Sequence, residues 1–177
     1  MLHWPSYQHP ISQAMKAMEN LVNDNLIKFI GVSNFDLKEL QQAELTLEKE
    51  RIACNQVLYH LDYRAIEKRI VPYCKSKKIA VVGYSPFGHG NFPSPNSTKG
   101  KVLAKIANRH GRTPRQVALN FLSLYSNIFT IPKTSHPERA VENSKSVDGS
   151  WKLTDKDIEE INKAFPVSDG DSPLEMI

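Results

Sequence analysis

Residues 79–85 read Ile-Ala-Val-Val-Gly-Tyr-Ser. The branched apolar run suits a strand buried on both faces, and it stops abruptly at the polar pair Tyr84-Ser85. Working outward from it, the same unit recurs. Upstream, residues 66–77 carry helical periodicity, 53–59 (Ala-Cys-Asn-Gln-Val-Leu-Tyr) read as a strand, and Leu37, Leu40 and Leu47 mark a helix. Before that, 28–34 form a short strand with its exit turn, and Ile11, Met15, Met18, Val22 and Leu26 share one helix face. Downstream, a loop rich in Pro, Gly, Ser and Asn covers 86–100, and helices are predicted over 101–110 and 114–125. The second of these opens on Thr113, Pro114 and Gln116, a capping box with proline at the first helical position. A strand at 128–131, a helix at 137–145 and a last helix from Thr154 to about Ala164 complete the series.

Strand–helix alternation with short loops implies parallel strands joined by right-handed crossovers. Such α/β chains form a doubly wound sheet or part of a (β/α)8 barrel, and both place ligands at the carboxyl ends of strands. Those ends are chemically loaded here: His3-Trp4, Ser33-Asn34, Asn55-Gln56, Tyr84-Ser85 and Lys133-Thr134. Polar residues gather at strand exits and rarely at entries, which favours the barrel. No GxGxxG turn exists, so the usual Rossmann phosphate signature is missing.

Composition narrows the function classes. The chain has 177 residues, is 40% hydrophobic, and carries 23 basic against 19 acidic residues for a net charge of +4. The charges are dispersed, without the basic blocks of a nucleic-acid surface. No apolar run approaches the roughly 20 residues that span a bilayer. Cys54 and Cys74 are isolated, and the six histidines lack ligand spacing, so no metal site is indicated. The expectation is a cytoplasmic protein with reduced thiols. Glu19, Glu39 and Glu48 read as solvated helix faces, and His9, His60, His89 and His110 as loop or surface residues.

One stretch points to an anion. Residues 131–143, Ile-Pro-Lys-Thr-Ser-His-Pro-Glu-Arg-Ala-Val-Glu-Asn, place Lys133, Thr134, Ser135 and Arg139 around a helix start opened by Pro137. Free N–H groups and the helix dipole favour anions there, and Lys and Arg add a point charge and a planar fork. A phosphate monoester pocket and a solvated basic turn both fit these residues.

Taken in order, these segments resemble the C-terminal part of an aldo-keto reductase. The resemblance rests on His3-Trp4-Pro5, Gly31-Val-Ser-Asn-Phe35, Asn55-Gln56 with Tyr59-His60, and Gly83-Tyr-Ser-Pro-Phe-Gly88. It continues through Thr113-Pro114 with Val117-Ala118-Leu119, Ile131-Pro-Lys133, and Pro137-Glu-Arg139 with Glu142-Asn143. It implies a partial TIM (β/α)8 barrel, about strands 4–8 with their helices, over residues 1–166, followed by a flexible tail over 167–177. It further implies hydride transfer between a nicotinamide cofactor and a small aldehyde or ketone. In that reading Ser33, Asn34 and Gln56 bond the nicotinamide carboxamide and Tyr84 stacks on the ring. Ser85, Phe87 and Gly88 lie along the pyrophosphate. Lys133, Thr134 and Arg139, with Ser135 nearby, hold the 2′-phosphate, and Glu142 and Asn143 meet the adenine. Lys133 and Arg139 together favour NADPH over NADH. His3 matches the active-site histidine and Trp4 a wall of the substrate pocket. His136 departs from the usual Thr, Asn or Asp cap, and its charged form would add to the phosphate field.

The resemblance begins at the end of the fourth barrel strand. The units that carry the family's proton-donating tyrosine, and the lysine and aspartate that tune it, have no counterpart in the sequence, and Met1 stands where the family has an apolar strand residue. None of Tyr7, Tyr59, Tyr63, Tyr73, Tyr84 and Tyr125 has the donor's context. A full barrel takes about 250 residues. The expectation is therefore an enzyme competent only with the missing half, or else a non-catalytic nucleotide-binding or interaction remnant. An open parallel sheet would expose its edges and inward residues such as Val81 and Val82, which invites self-association.

Overall fold

The computed structural model describes residues 1–6, 8–167 and 174. Strands β1 (Ile30–Ser33), β2 (Ile52–Leu58), β3 (Ala80–Tyr84) and β4 (Ile128–Thr130) form an all-parallel sheet in the order β1-β2-β3-β4. Leu2 adds a single parallel bridge to Val32 outside β1. Strictly sequential order, with no reversal, is the order of a barrel wall; a doubly wound sheet turns back at a switch point. The crossovers are α1 (Ile11–Asn23), α2 (Leu37–Thr46), a 3₁₀ turn (Ala65–Glu67) with α3 (Ile70–Lys77), and the pair α4 (Thr98–His110) and α5 (Pro114–Leu122). Helices α6 (Pro137–Ser144) and α7 (Asp155–Ala164) follow β4.

The core lies between the sheet and these helices. Val32, Val57 and Val81 are fully buried there with Met15, Leu40, Ile106 and Val117. This corrects the expectation for Val81, which the pleat turns toward the helices. Val82, its neighbour, falls on the opposite face and is only half-buried. That opposite face also carries Phe129, 58% exposed, across the register from Val82. Phe29, at the entry to β1, is 74% exposed.

Local chemistry explains two shifted boundaries. The helix expected over 66–77 is split, because Pro72 has no N–H and is tolerated only in a first helical turn; α3 accordingly starts at Ile70. Helix α4 starts at Thr98, earlier than expected, with Ser97 Oγ accepting the Gly100 N–H at 3.0 Å. Gly100 is required by space: a Cβ there would stand 1.9 Å from the Ser94 carbonyl oxygen.

Two groups expected at the surface are structural. Glu19 is 8% exposed, and its Oε1 accepts the backbone N–H groups of Glu48, Lys49 and Glu50 at 2.9–3.1 Å, which holds its carboxyl below the usual range. It fastens α1 to the turn entering β2. His110 bonds the fully buried Asp157 at 2.7 Å and packs on Trp151. The tail expected over 167–177 lies, apart from Val167 and Leu174, outside the described residues.

Asp157 gives the fold an acid-sensitive joint between α4 and α7. Burial opposes its charge, but the Thr154 hydroxyl at 2.6 Å, His110, the Thr154 N–H and Arg109 together hold its carboxyl at about 2. A carboxylate lowered on folding contributes stability above its ordinary value, and that stability is lost as pH falls through the folded value. The contribution is about 2 kcal/mol. Urea midpoints measured from about pH 5 down to about pH 2 are expected to fall along this slope, and Asp157→Asn is expected to flatten it.

Candidate active site

The carboxyl ends of the strands make one rim. Ser33 lies opposite Gln56, Leu58 opposite Tyr84, and the Ile131 N–H bonds the Gly83 carbonyl at 3.1 Å, which brings Lys133 to the same end. The Leu2 bridge sets His3 and Trp4 beside β1, with their rings edge to face at 5.8 Å. His3 is exposed and Trp4 half-buried. Asn34, Ser85 and His89 at this rim adopt left-handed backbone with φ of 60°, 51° and 50°. Non-glycine residues take that conformation at a cost and concentrate at functional sites when they do.

The rim residues differ in what they have left to offer. Asn34 Nδ2 donates to Ser33 Oγ at 3.1 Å and to the His3 carbonyl at 3.3 Å, while its Oδ1 accepts the Tyr84 hydroxyl at 2.9 Å. Ser33 Oγ donates to the Gln56 carbonyl at 2.9 Å. Ser33 and Asn34 are both buried and keep only acceptor lone pairs. Gln56 has no side-chain partner among the described residues, so its whole amide is available for a ligand amide. Asn55, its neighbour, points the other way and staples the Phe35 backbone through 2.8 and 3.4 Å bonds.

A cleft of about 540 Å³ opens beside the β3 and β4 ends, a size typical of small-molecule sites. Its basic lining is Arg115, Lys133 and Arg139, joined by Thr134, Glu142 and Asn143. Phe87 and the loop after it close one side, where Ser85 and Gly88 form a tight turn, the Gly88 N–H bonding the Ser85 carbonyl at 2.9 Å. The side chains of Lys133, Arg115 and Arg139 make no hydrogen bond or ion pair among the described residues. Three cations against the single carboxylate of Glu142 leave the cleft net positive, a field that favours an anion.

Several expected residues sit differently. Ser135 is exposed and does not line the cleft. Glu142 lines it, but its carboxylate accepts the Thr113 hydroxyl at 2.5 Å and its carbonyl accepts Gln116 Nε2 at 2.9 Å. His136 makes no helix-capping bond; its Nδ1 lies 3.3 Å from Glu138, which offsets any charge it would add. The Thr134 hydroxyl accepts the His136 N–H at 3.1 Å instead. Arg115 was not expected from sequence. A signal existed: a cation in the first turn of α5 opposes the helix dipole and does nothing for the helix.

Four of the described tyrosines are shifted away from the range of an acid. Tyr59, Tyr73, Tyr84 and Tyr125 are all shifted up, burial being the leading cause in each. The hydroxyls of Tyr59 and Tyr73 are further held protonated by the carboxylates of Glu67 and Glu44. A proton donor near neutrality needs the opposite shift. Tyr7 lies outside the described residues.

Comparison with known proteins bears on the family and the fold. The sequence model of the aldo/keto reductase family matches residues 1–165. Methylglyoxal reductase YeaE of Escherichia coli is 29% identical over the whole chain, and glyoxal reductase of Bacillus subtilis 31%; the chain spans 61% and 60% of their lengths. An aldo-keto reductase from Klebsiella pneumoniae crystallised with NADPH superposes with a TM-score of 0.89 at 29% identity, covering 99% of this chain and 61% of that one. A second Klebsiella pneumoniae structure, with NADP and acetate, gives 0.88 at 30% identity over 99% of this chain and 61% of that one. The chain spans about three fifths of the length of these relatives. Profile, relatives and superposition converge with the rim of strand ends: the chain belongs to the aldo/keto reductase family.

Proposed function

We infer that this chain provides the cofactor cradle of an NADPH-dependent carbonyl reductase. The observation that carries the reading is one rim of strand ends, where Ser33 pairs with Gln56 and Tyr84 stands two residues further along opposite Leu58, beside a cleft lined by Lys133 and Arg139. The residues fit a phosphorylated nicotinamide dinucleotide. The free Gln56 amide, with the acceptor lone pairs of Ser33 and Asn34, matches a carboxamide. Tyr84, fixed by its bond to Asn34, offers a ring for stacking. Lys133, Thr134 and Arg139 take the 2′-phosphate, which favours NADPH over NADH, and Asn143 with the remaining capacity of Glu142 meets the adenine. Ser85, Phe87 and Gly88 border the pyrophosphate, with Ser135 next to Thr134 near the 2′-phosphate. When bound, that cofactor supplies hydride to the carbonyl carbon of a small aldehyde or ketone. His3 orients the carbonyl and Trp4 walls the pocket. The upward shifts of Tyr59, Tyr73, Tyr84 and Tyr125 support a division of labour in which the proton comes from βα units that complete the barrel around this sheet. The Klebsiella complexes with NADPH and NADP support the cofactor, and the two unpaired thiols fit a cytoplasmic setting.

A second reading, a non-catalytic nucleotide-binding or self-associating remnant, draws on the exposed Phe29 and Phe129 beside open strand edges. One titration and one assay separate the two. The folded chain is expected to enhance NADPH fluorescence saturably. It is expected to reduce an aromatic aldehyde far more slowly than the roughly 10 per second of ordinary enzymes, and to gain turnover when the preceding units are supplied as a second chain. Absent NADPH binding overturns the cradle; turnover unaffected by those units overturns the division of labour.

A further inference from the structure

The loop that follows β3 is tethered by one side chain. The Arg115 guanidinium carbon lies 4.8 Å from the Phe87 ring centroid and 4.6 Å from that of Phe92. The two rings also meet each other edge to face at 5.7 Å. Both phenylalanines belong to the loop between β3 and α4, whereas Arg115 belongs to the first turn of α5. Contact with aromatic faces occupies the π-surface of a guanidinium and leaves its five in-plane N–H donors for other partners. Among the described residues nothing bonds those donors. Arg115 also lines the cleft that holds Lys133 and Arg139, together with Phe87 and Phe92. Its position costs the helix stability, since a cation in the first turn opposes the dipole; the side chain is there for the loop and the cleft.

We propose that Arg115 is a cofactor-retaining residue: its aromatic contacts hold the 86–97 loop across the cleft, and its N–H edge binds a phosphate of the bound dinucleotide. The inference rests on reading the cleft as a dinucleotide site. It adds to that reading a third phosphate-binding cation and names the side chain that fastens the loop. With the loop tethered, a bound dinucleotide leaves only when the ring contacts and the phosphate bond break together. A free loop would let it leave in stages.

The test uses the whole chain, with NADPH as probe, and compares wild type with Arg115→Ala and Arg115→Lys. Hydrogen exchange over residues 86–93, measured without cofactor, reads the tether. Stopped-flow release of NADPH, measured at low and high KCl, reads the phosphate contact. Arg115→Ala is expected to speed both exchange and release about tenfold, and to weaken the acceleration of release by salt. Arg115→Lys keeps the charge but not the planar fork; it is expected to retain the salt sensitivity while losing most of the loop protection. Release within twofold of wild type in Arg115→Ala, whatever the loop does, overturns the proposal. Loop exchange unchanged in both variants overturns the tether and with it the proposed coupling. Wild-type protein that binds no NADPH removes the dinucleotide reading itself, and this outcome is recognised before any variant is compared.

Discussion

Replacing Glu67 by alanine is expected to destabilise the chain by about 3–5 kcal/mol, read as a drop in the urea midpoint and a melting temperature lower by roughly 10 °C. The reason is a buried charge left alone. Arg64 is 6% exposed, and it donates to both carboxylate oxygens of Glu67, from Nε at 2.7 Å and from Nη2 at 2.8 Å. Tyr59, fully buried, donates to the same carboxylate at 2.7 Å. The third arm of Arg64 reaches the Phe165 carbonyl at 2.7 Å, and its guanidinium lies 4.7 Å from the Phe121 ring centroid. One cluster therefore ties the exit of β2 to α5 and to the end of α7. Removing the carboxylate strands a guanidinium and a phenol away from water, and each then carries its full desolvation cost. The double variant Arg64→Met, Glu67→Leu, which removes both charges together, is expected to recover most of the loss. A double variant no more stable than Glu67→Ala would show that the cluster acts by shape and not by charge pairing.

The second large effect concerns the cofactor. Lys133→Ala is expected to weaken NADPH binding about tenfold to a hundredfold, the range for losing one charge-assisted hydrogen bond. NADH, lacking the 2′-phosphate, is expected to change by less than about threefold over the same range of conditions. Fluorescence titrations with the two cofactors give the ratio directly. Equal losses for both would move Lys133 from the 2′-phosphate to a part the two molecules share. Arg139→Ala should behave alike, because Arg139 lines the same cleft and is equally free of partners among the described residues.

Much of this was legible in the sequence for a physical reason. Strand ends in parallel α/β folds carry the ligand groups, so Ser33, Gln56, Tyr84 and Lys133 could be read as one rim from alternation alone. The capping box at Thr113 and Gln116 fixed the start of α5 as expected. Other features depend on contacts far apart in the chain, which local patterns do not encode. Glu19 looks like a surface residue until the turn at 48–50 is folded against it. Gly100 looks like a helix breaker until the Ser94 carbonyl is seen to fill its side-chain space. Val81 and Val82 are adjacent and alike, and only the placement of helices decides which one is buried. Asn34 has a composition suited to ligand binding, yet most of its bonding capacity goes to Ser33, His3 and Tyr84. Asn34 thus frames the rim and still has acceptor capacity to offer a ligand.

The Glu19 anchor and the unpaired cations stand at opposite ends of the sheet. Near the entry to β2, three peptide amides are already saturated by a carboxylate from the chain itself. At the other end, among the described residues, the side chains of Gln56, Arg115, Lys133 and Arg139 remain open for an external guest. Inheritance can consequently tinker with the two poles separately. Substitutions at the saturated pole are therefore expected to act on folding, and those at the open pole on which guest is held.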